Sequence, residues 1–254
     1  MPLLNRFLVP KENDQKKILQ FGCTPKLLAS LDLIVQTANE QGNRIGIVLV
    51  ENLEKGKGEK LYRQDGRYTV NFLGEKPEED APKNKIVTCI NNFLDYKNNL
   101  PEFLLKSNEK SYKYVFSDMG KENIVYKENE DLNNPVSYPA VLCAFLKNRY
   151  EYFKGNKAYG LIFIPLEDLE QNGEYLQNFI IRVARDNNES EEFINWIKEA
   201  NTFLNCKTDI EAYYLDKEEI NELNKIRGYR DNAAVKAPYV FLFEPSDIIE
   251  DLTK

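Results

Sequence analysis

Ile18-Leu19-Gln20-Phe21-Gly22-Cys23-Thr24-Pro25 opens the stretch that decides the fold of this chain. An apolar run meets a glycine, and Thr24-Pro25 then begins a helix. Threonine caps a helix N-terminus through its side-chain oxygen, and proline at the first helical position gives up an N–H that has no partner there. Leu27, Leu28, Leu31, Ile34, Val35 and Ala38 recur at helical spacing and predict one helix with a single buried face. Gln41-Gly42-Asn43 ends it, and Ile45-Gly46-Ile47-Val48-Leu49-Val50 is a second, fully buried strand closing at Glu51. Strand, helix and strand make a βαβ unit, which binds a dinucleotide when its first turn reads G-x-G-x-x-G. Here the turn reads Gly22-Cys23-Thr24-Pro25-Lys26-Leu27, so only the first glycine is present. Thr24 puts a side chain where backbone should approach a pyrophosphate, and Pro25 removes one potential donor. From the residues alone, this is the capped turn of a structural βαβ unit.

Working outward, strands and helices alternate. Lys55-Gly56-Lys57-Gly58-Glu59-Lys60 invites a phosphate-binding reading, but with no helix expected after it, it is taken as a surface turn. Further strands are expected at residues 68–73, 86–90, 112–117, 124–126, 161–164 and 239–243, with a charged, proline-containing loop at 75–85. Helices are expected at 93–105 with an interruption at Pro101, from Tyr138-Pro139 to Tyr152, after Asn172-Gly173, after Ser190, and at 217–225. The alternation predicts an α/β, Rossmann-like fold: a mainly parallel sheet with helices on both faces, residues 1–254 forming a single domain.

Composition narrows the function classes. A net charge of −7 argues against nucleic acid and against anionic membranes, since both reward basic patches. Apolar runs of about six residues fall far short of the roughly 20 that a membrane helix needs, and Met1-Pro2-Leu3-Leu4-Asn5-Arg6-Phe7 lacks the apolar core of a signal peptide. A soluble, cytoplasmic chain is expected. Its four cysteines, Cys23, Cys89, Cys143 and Cys206, are far apart and form no C-x-x-C pair, so neither disulfides nor a zinc site are expected. The chain has no histidine. That excludes Ser-His-Asp and Cys-His nucleophile systems and histidine-ligated metals, and no acidic cluster has metal-ligand spacing.

With these landmarks placed, the order of segments resembles the N-terminal NAD-binding domain of the tagaturonate reductases (altronate oxidoreductases) of the mannitol dehydrogenase family. The resemblance covers nearly the whole chain, from Ile18-Leu19-Gln20-Phe21-Gly22 to the strand at Tyr239. It is carried by Gln64-Asp65-Gly66-Arg67-Tyr68-Thr69, Val115-Phe116-Ser117, Val136-Ser137-Tyr138-Pro139-Ala140, Ile164-Pro165-Leu166-Glu167 with Asn172-Gly173, Ala200-Asn201-Thr202-Phe203 and Gly228-Tyr229-Arg230-Asp231. It implies a Rossmann fold, NAD as cofactor, and a cofactor-facing role for Gly22, Thr24, Glu51, Ser117 and Asn172. Glu51, at the strand end, would take a ribose hydroxyl; Glu167 and Asn172 would lie near the nicotinamide. Several positions depart from the family pattern. Thr24 replaces the second glycine and Lys26 the aromatic of G-x-G-x-F. Asp118-Met119-Gly120-Lys121 stands for an Asn-Thr-Thr-Glu type loop, and of T-x-V-D-R only Asp209 remains, between Thr208 and Ile210. The family's catalytic lysine lies in a C-terminal domain that this sequence, ending at Lys254, does not reach.

The reading that follows is a stand-alone, non-catalytic Rossmann module with no catalytic residue and no metal of its own. The residues by themselves require no cofactor; NAD is what the resemblance implies. The alternative is an NAD-dependent sugar-acid oxidoreductase, or the cofactor-binding half of a split one. The partner would be a second copy, in a homodimer, or a separately encoded domain, with Tyr213-Tyr214 and residues 239–243 as candidate contact surfaces.

Overall fold

The parallel sheet grows outward from the opening βαβ unit. In the computed structural model, which describes residues 1–10, 15–120, 122–247 and 250, strands β1 (Lys16–Phe21) and β2 (Ile45–Val50) pair in parallel, Phe21 opposite Val50. Between them the expected single helix is two, α1 (Pro25–Ala29) and α2 (Leu31–Glu40). The break is at Ser30, whose Oγ donates to the Lys26 carbonyl at 2.5 Å while its backbone leaves the helical region at φ −116°, ψ −87°. A serine that bonds back to the preceding turn competes with the helix ladder.

After β2 come α3 (Gly56–Arg63), β3 (Tyr68–Leu73), β4 (Asn84–Val87), β5 (Ile90–Leu94) and α4 (Leu100–Leu105). Then follow β6 (Tyr112–Ser117), α5 (Tyr138–Tyr152), β7 (Ile162–Pro165), α6 (Asn172–Asp186), α7 (Glu191–Ala200) and the short β8 (Thr202–Phe203). The chain continues through β9 (Lys207–Thr208), β10 (Tyr213–Tyr214), α8 (Lys217–Arg227), β11 (Val235–Pro238) and β12 (Phe243–Glu244). The main sheet has the order β5-β2-β1-β6-β7-β8, and every pair in it is parallel. This is the strand order of the doubly wound dinucleotide-binding fold, with its switch point between β1 and β6.

Alternation along the strands builds the two faces. Leu19, Phe21, Val48, Val50, Val115 and Phe163 face α5, α6 and α7 in one apolar cluster. Ile18, Ile47, Leu49, Tyr114, Phe116 and Ile164 join α1, α2 and a second sheet in the other. That second sheet, β10-β11-β3-β4, is mixed: β11 lies parallel to β3, and the other pairs are antiparallel.

Several expected elements differ. Residues 55–60 are not a surface turn, because helix α3 begins at Gly56, seated by the buried Leu61 and by close approach of Gly58 to the end of β2. The 86–90 strand is two strands in different sheets. Phe93 and Leu94 end β5 instead of starting a helix, so α4 begins only at Leu100, where Asn99 caps it. Residues 124–126 form no strand, and residues 239–243 carry only the start of β12, since the strand that pairs with β3 is 235–238. Among the described residues no helix is long and apolar enough to cross a membrane.

Candidate functional site

Where β1, β2 and β6 end, the chain leaves an open cleft of about 530 Å³, lined among others by Gly22, Thr24, Glu51, Lys57, Asp118 and Tyr214. It lies on the carboxyl side of the parallel strands, at the switch point, where doubly wound sheets bind ligands.

Gly22 follows β1 at φ +89°, a conformation that costs any residue with a Cβ. A Cβ built there would stand 2.5 Å from the Asp118 carbonyl oxygen. The packing of the β1 and β6 ends is therefore enough to require glycine here. Thr24 caps α1 by accepting from the Leu27 N–H at 3.4 Å, and its hydroxyl donates to Asp118 Oδ2 at 2.6 Å. Lys26 reaches the same carboxylate at 3.9 Å and donates to the Leu166 carbonyl at 2.9 Å. Burial raises the Asp118 pKa above the ordinary carboxylate value, with Thr24 and Lys26 pulling the other way. The turn that would hold a pyrophosphate is thus bridged by its own side chains to a carboxylate from the facing loop. Asp118 was not among the sequence candidates, because its importance comes from a 94-residue separation that no local pattern reveals. Lys121, in the same loop, lies outside the described residues.

Glu51 lines the cleft as expected of a strand-end acid, and both of its carboxylate oxygens have neighbours. Oε1 accepts from the Asn52 N–H at 2.8 Å, and the Cys23 thiol points to Oε2 at 3.8 Å. Burial pushes the Cys23 thiol up to about 12, so it is protonated and a poor nucleophile at neutral pH. The Tyr214 hydroxyl donates to the Cys23 carbonyl, and Lys57 Nζ stands 3.6 Å over the Tyr214 ring. The two tyrosines proposed as a contact surface therefore separate: Tyr213 is exposed and Tyr214 closes the cleft. Val240 and Leu242 in the other candidate surface are exposed, while Phe243 is buried.

The structure brings Gly22, Thr24 and Glu51 together, but Ser117 and Asn172 stand apart from the lining. Ser117 is buried and donates to Glu167 Oε2 at 3.0 Å; the Met119 N–H supplies the other oxygen at 3.2 Å. Burial, with Asp118 adding to it, raises the Glu167 carboxyl to about 7. Asn172 Nδ2 donates to the carbonyls of Pro165, Glu167 and Cys206, and Oδ1 accepts from the N–H groups of Gly173 and Cys206. This side chain ties β7 to the chain after β8 and has no capacity left for a ligand. Behind the turn, Asp32 is wholly buried, accepts from Gln20 at 3.3 Å and Tyr68 at 3.0 Å, and is raised by burial to about 7.

Comparison with known proteins bears on the fold. No protein-family model matches the chain. An altronate oxidoreductase of Escherichia coli (strain 536) is 29% identical over 247 residues, covering 96% of this chain and 51% of that enzyme. One of Yersinia enterocolitica is 27% identical over 259 residues, covering 99% and 54%. The chain is similar to these altronate oxidoreductases along nearly its whole length. It spans about half the length of the curated relatives it matches. Two solved structures share the fold. One is a D-sorbitol dehydrogenase in substrate-free form, at TM-score 0.76 and 16% identity, covering 95% of this chain and 54% of that one. The other is the mannitol 2-dehydrogenase of Pseudomonas fluorescens, solved with NAD and D-mannitol, at TM-score 0.76 and 16% identity, covering 91% and 49%.

Proposed function

We propose that this chain is a Rossmann-like ligand-binding module that does not itself transfer hydride. The observation that carries the reading is the bridge from Thr24 and Lys26 to Asp118 across the turn where the related dehydrogenases would seat a pyrophosphate. A phosphate entering there meets a carboxylate, and displacing it forfeits a charge-assisted hydrogen bond of about 1.5–3 kcal/mol. Helix α1 offers little in return: it has five residues and Pro25 at its start. Hydride transfer also needs a proton donor beside the substrate carbonyl. In the cleft the thiol of Cys23 is held protonated near 12 and Tyr214 is committed to a backbone carbonyl. The lysines on the β2 side of the cleft, Lys55, Lys57 and Lys97, are read as ligand-binding groups, and ligand binding there is the activity proposed for the chain. The test is a steady-state assay of the purified chain with tagaturonate and NADH. No turnover above background is expected, and measurable turnover overturns the reading.

A second reading is favoured by the open cleft and by Glu51 at its edge: the chain is the cofactor half of a split sugar-acid oxidoreductase. Adding the C-terminal half of the Escherichia coli relative as a separate polypeptide would then restore NADH oxidation by tagaturonate; on the favoured reading it does not.

A further inference from the structure

The cleft has two walls of opposite character. Asp118 and Glu122 stand on the β6 side, and Lys55, Lys57 and Lys97 on the β2 side. Among the described residues none of these three lysines has a carboxylate within ion-pair distance, although acidic residues outnumber basic ones 41 to 34. Lys57 is half-buried on the Tyr214 ring, and desolvation lowers its pKa, so the ammonium held there is short of compensating charge. The approach of this loop is built in: a Cβ at Gly58 would stand 2.4 Å from Glu51 Cγ and 2.5 Å from the Asn52 carbonyl, so only glycine lets the chain pass this close to the end of β2.

In doubly wound folds the acid closing the second strand accepts the ribose 2′-hydroxyl, and basic residues nearby favour a 2′-phosphate instead. Here Glu51 spends one oxygen on the Asn52 N–H and turns the other to Cys23, while Lys55 and Lys57 follow within a few residues. We propose that the cleft binds a nucleotide carrying a phosphate on its ribose 2′ position, with that phosphate against Lys55, Lys57 and Lys97, and that it takes this half of a cofactor in preference to a dinucleotide. The inference rests on the ligand-binding reading above. The polarity of the site is moved from the β1–α1 turn, closed by Asp118, to the β2–α3 loop.

Isothermal titration of the purified chain with adenosine 2′,5′-bisphosphate, adenosine 5′-monophosphate and inorganic phosphate tests it. The bisphosphate should bind at least about tenfold more tightly than either of the others, the discrimination that one charge-assisted hydrogen bond supplies. It should weaken with added salt. The triple variant Lys55→Ala, Lys57→Ala, Lys97→Ala should stay folded by circular dichroism, melt somewhat lower for want of the Lys57 contact with the Tyr214 ring, and lose the preference. Equal affinity for the bisphosphate and the monophosphate overturns the assignment. So does phosphate binding as well as the bisphosphate, or a preference that survives in the triple variant. Failure of the non-catalytic reading would show separately, as NADH turnover.

Discussion

Gly22→Ala separates a glycine kept for packing from one kept for a phosphate. Position 22 sits at φ +89°, which costs a residue with a Cβ roughly 1–2 kcal/mol. The new methyl would stand 2.5 Å from the Asp118 carbonyl oxygen, a backbone atom that moves only with its strand end. Relieving the contact pulls on the Asp118 N–H bond to the Phe21 carbonyl, 3.1 Å, and on the Gly22 N–H bond to Val50, 3.4 Å, at about 1 kcal/mol for each bond lost. The expected loss is about 2–4 kcal/mol, which for a chain of this size lowers the melting temperature by roughly 5–12 °C. The assay is scanning calorimetry in buffer free of any nucleotide. A variant that melts within about 2 °C of wild type would refute the packing argument and return Gly22 to a purely ligand-facing role.

Two further substitutions probe residues the resemblance placed near a cofactor. Asn172→Ala should cost about 3 kcal/mol or more without any ligand, because five hydrogen bonds among buried groups depend on its amide; a variant with unchanged melting temperature would mean those bonds contribute nothing. Glu167 is raised from 4.5 to about 7, so the folded chain binds more protons than the unfolded one between those values. Stability attributable to it is complete below about pH 4.5 and falls as pH rises to about 7. Glu167→Gln mimics the protonated carboxyl and should flatten that part of the melting profile between pH 5 and 8, leaving the variant the more stable at the upper end; an unaltered profile would show that Glu167 is not the titrating group.

The main sheet was legible because its strands are buried on both faces and read as continuous apolar runs, β2 above all. The opening unit, the capped start at Thr24 and the long helices α5 and α6 followed from periodicity and turn chemistry. Helix α3 was not legible: two glycines in eight residues oppose a helix by about 1 kcal/mol each, and what overrides them is the fit of Gly58 against Glu51 and burial of Leu61. Residues 239–243 look like a strand because they are apolar, yet Val240 and Leu242 are exposed and pairing with β3 is already taken by 235–238. At the site, the missing second glycine was visible in the sequence. Its replacement by a bridge from Thr24 to Asp118 was not, since only the switch-point topology brings the ends of β1 and β6 together.

The closed turn is tested most directly by titrating NADH into the wild-type chain and into the double variant Thr24→Gly, Asp118→Asn by calorimetry. The wild-type chain is expected to show no saturable binding below millimolar NADH, and the double variant, with the bridge removed and the carboxylate neutralised, to gain it. Saturable binding of NADH by the wild-type chain at micromolar concentration would contradict the account.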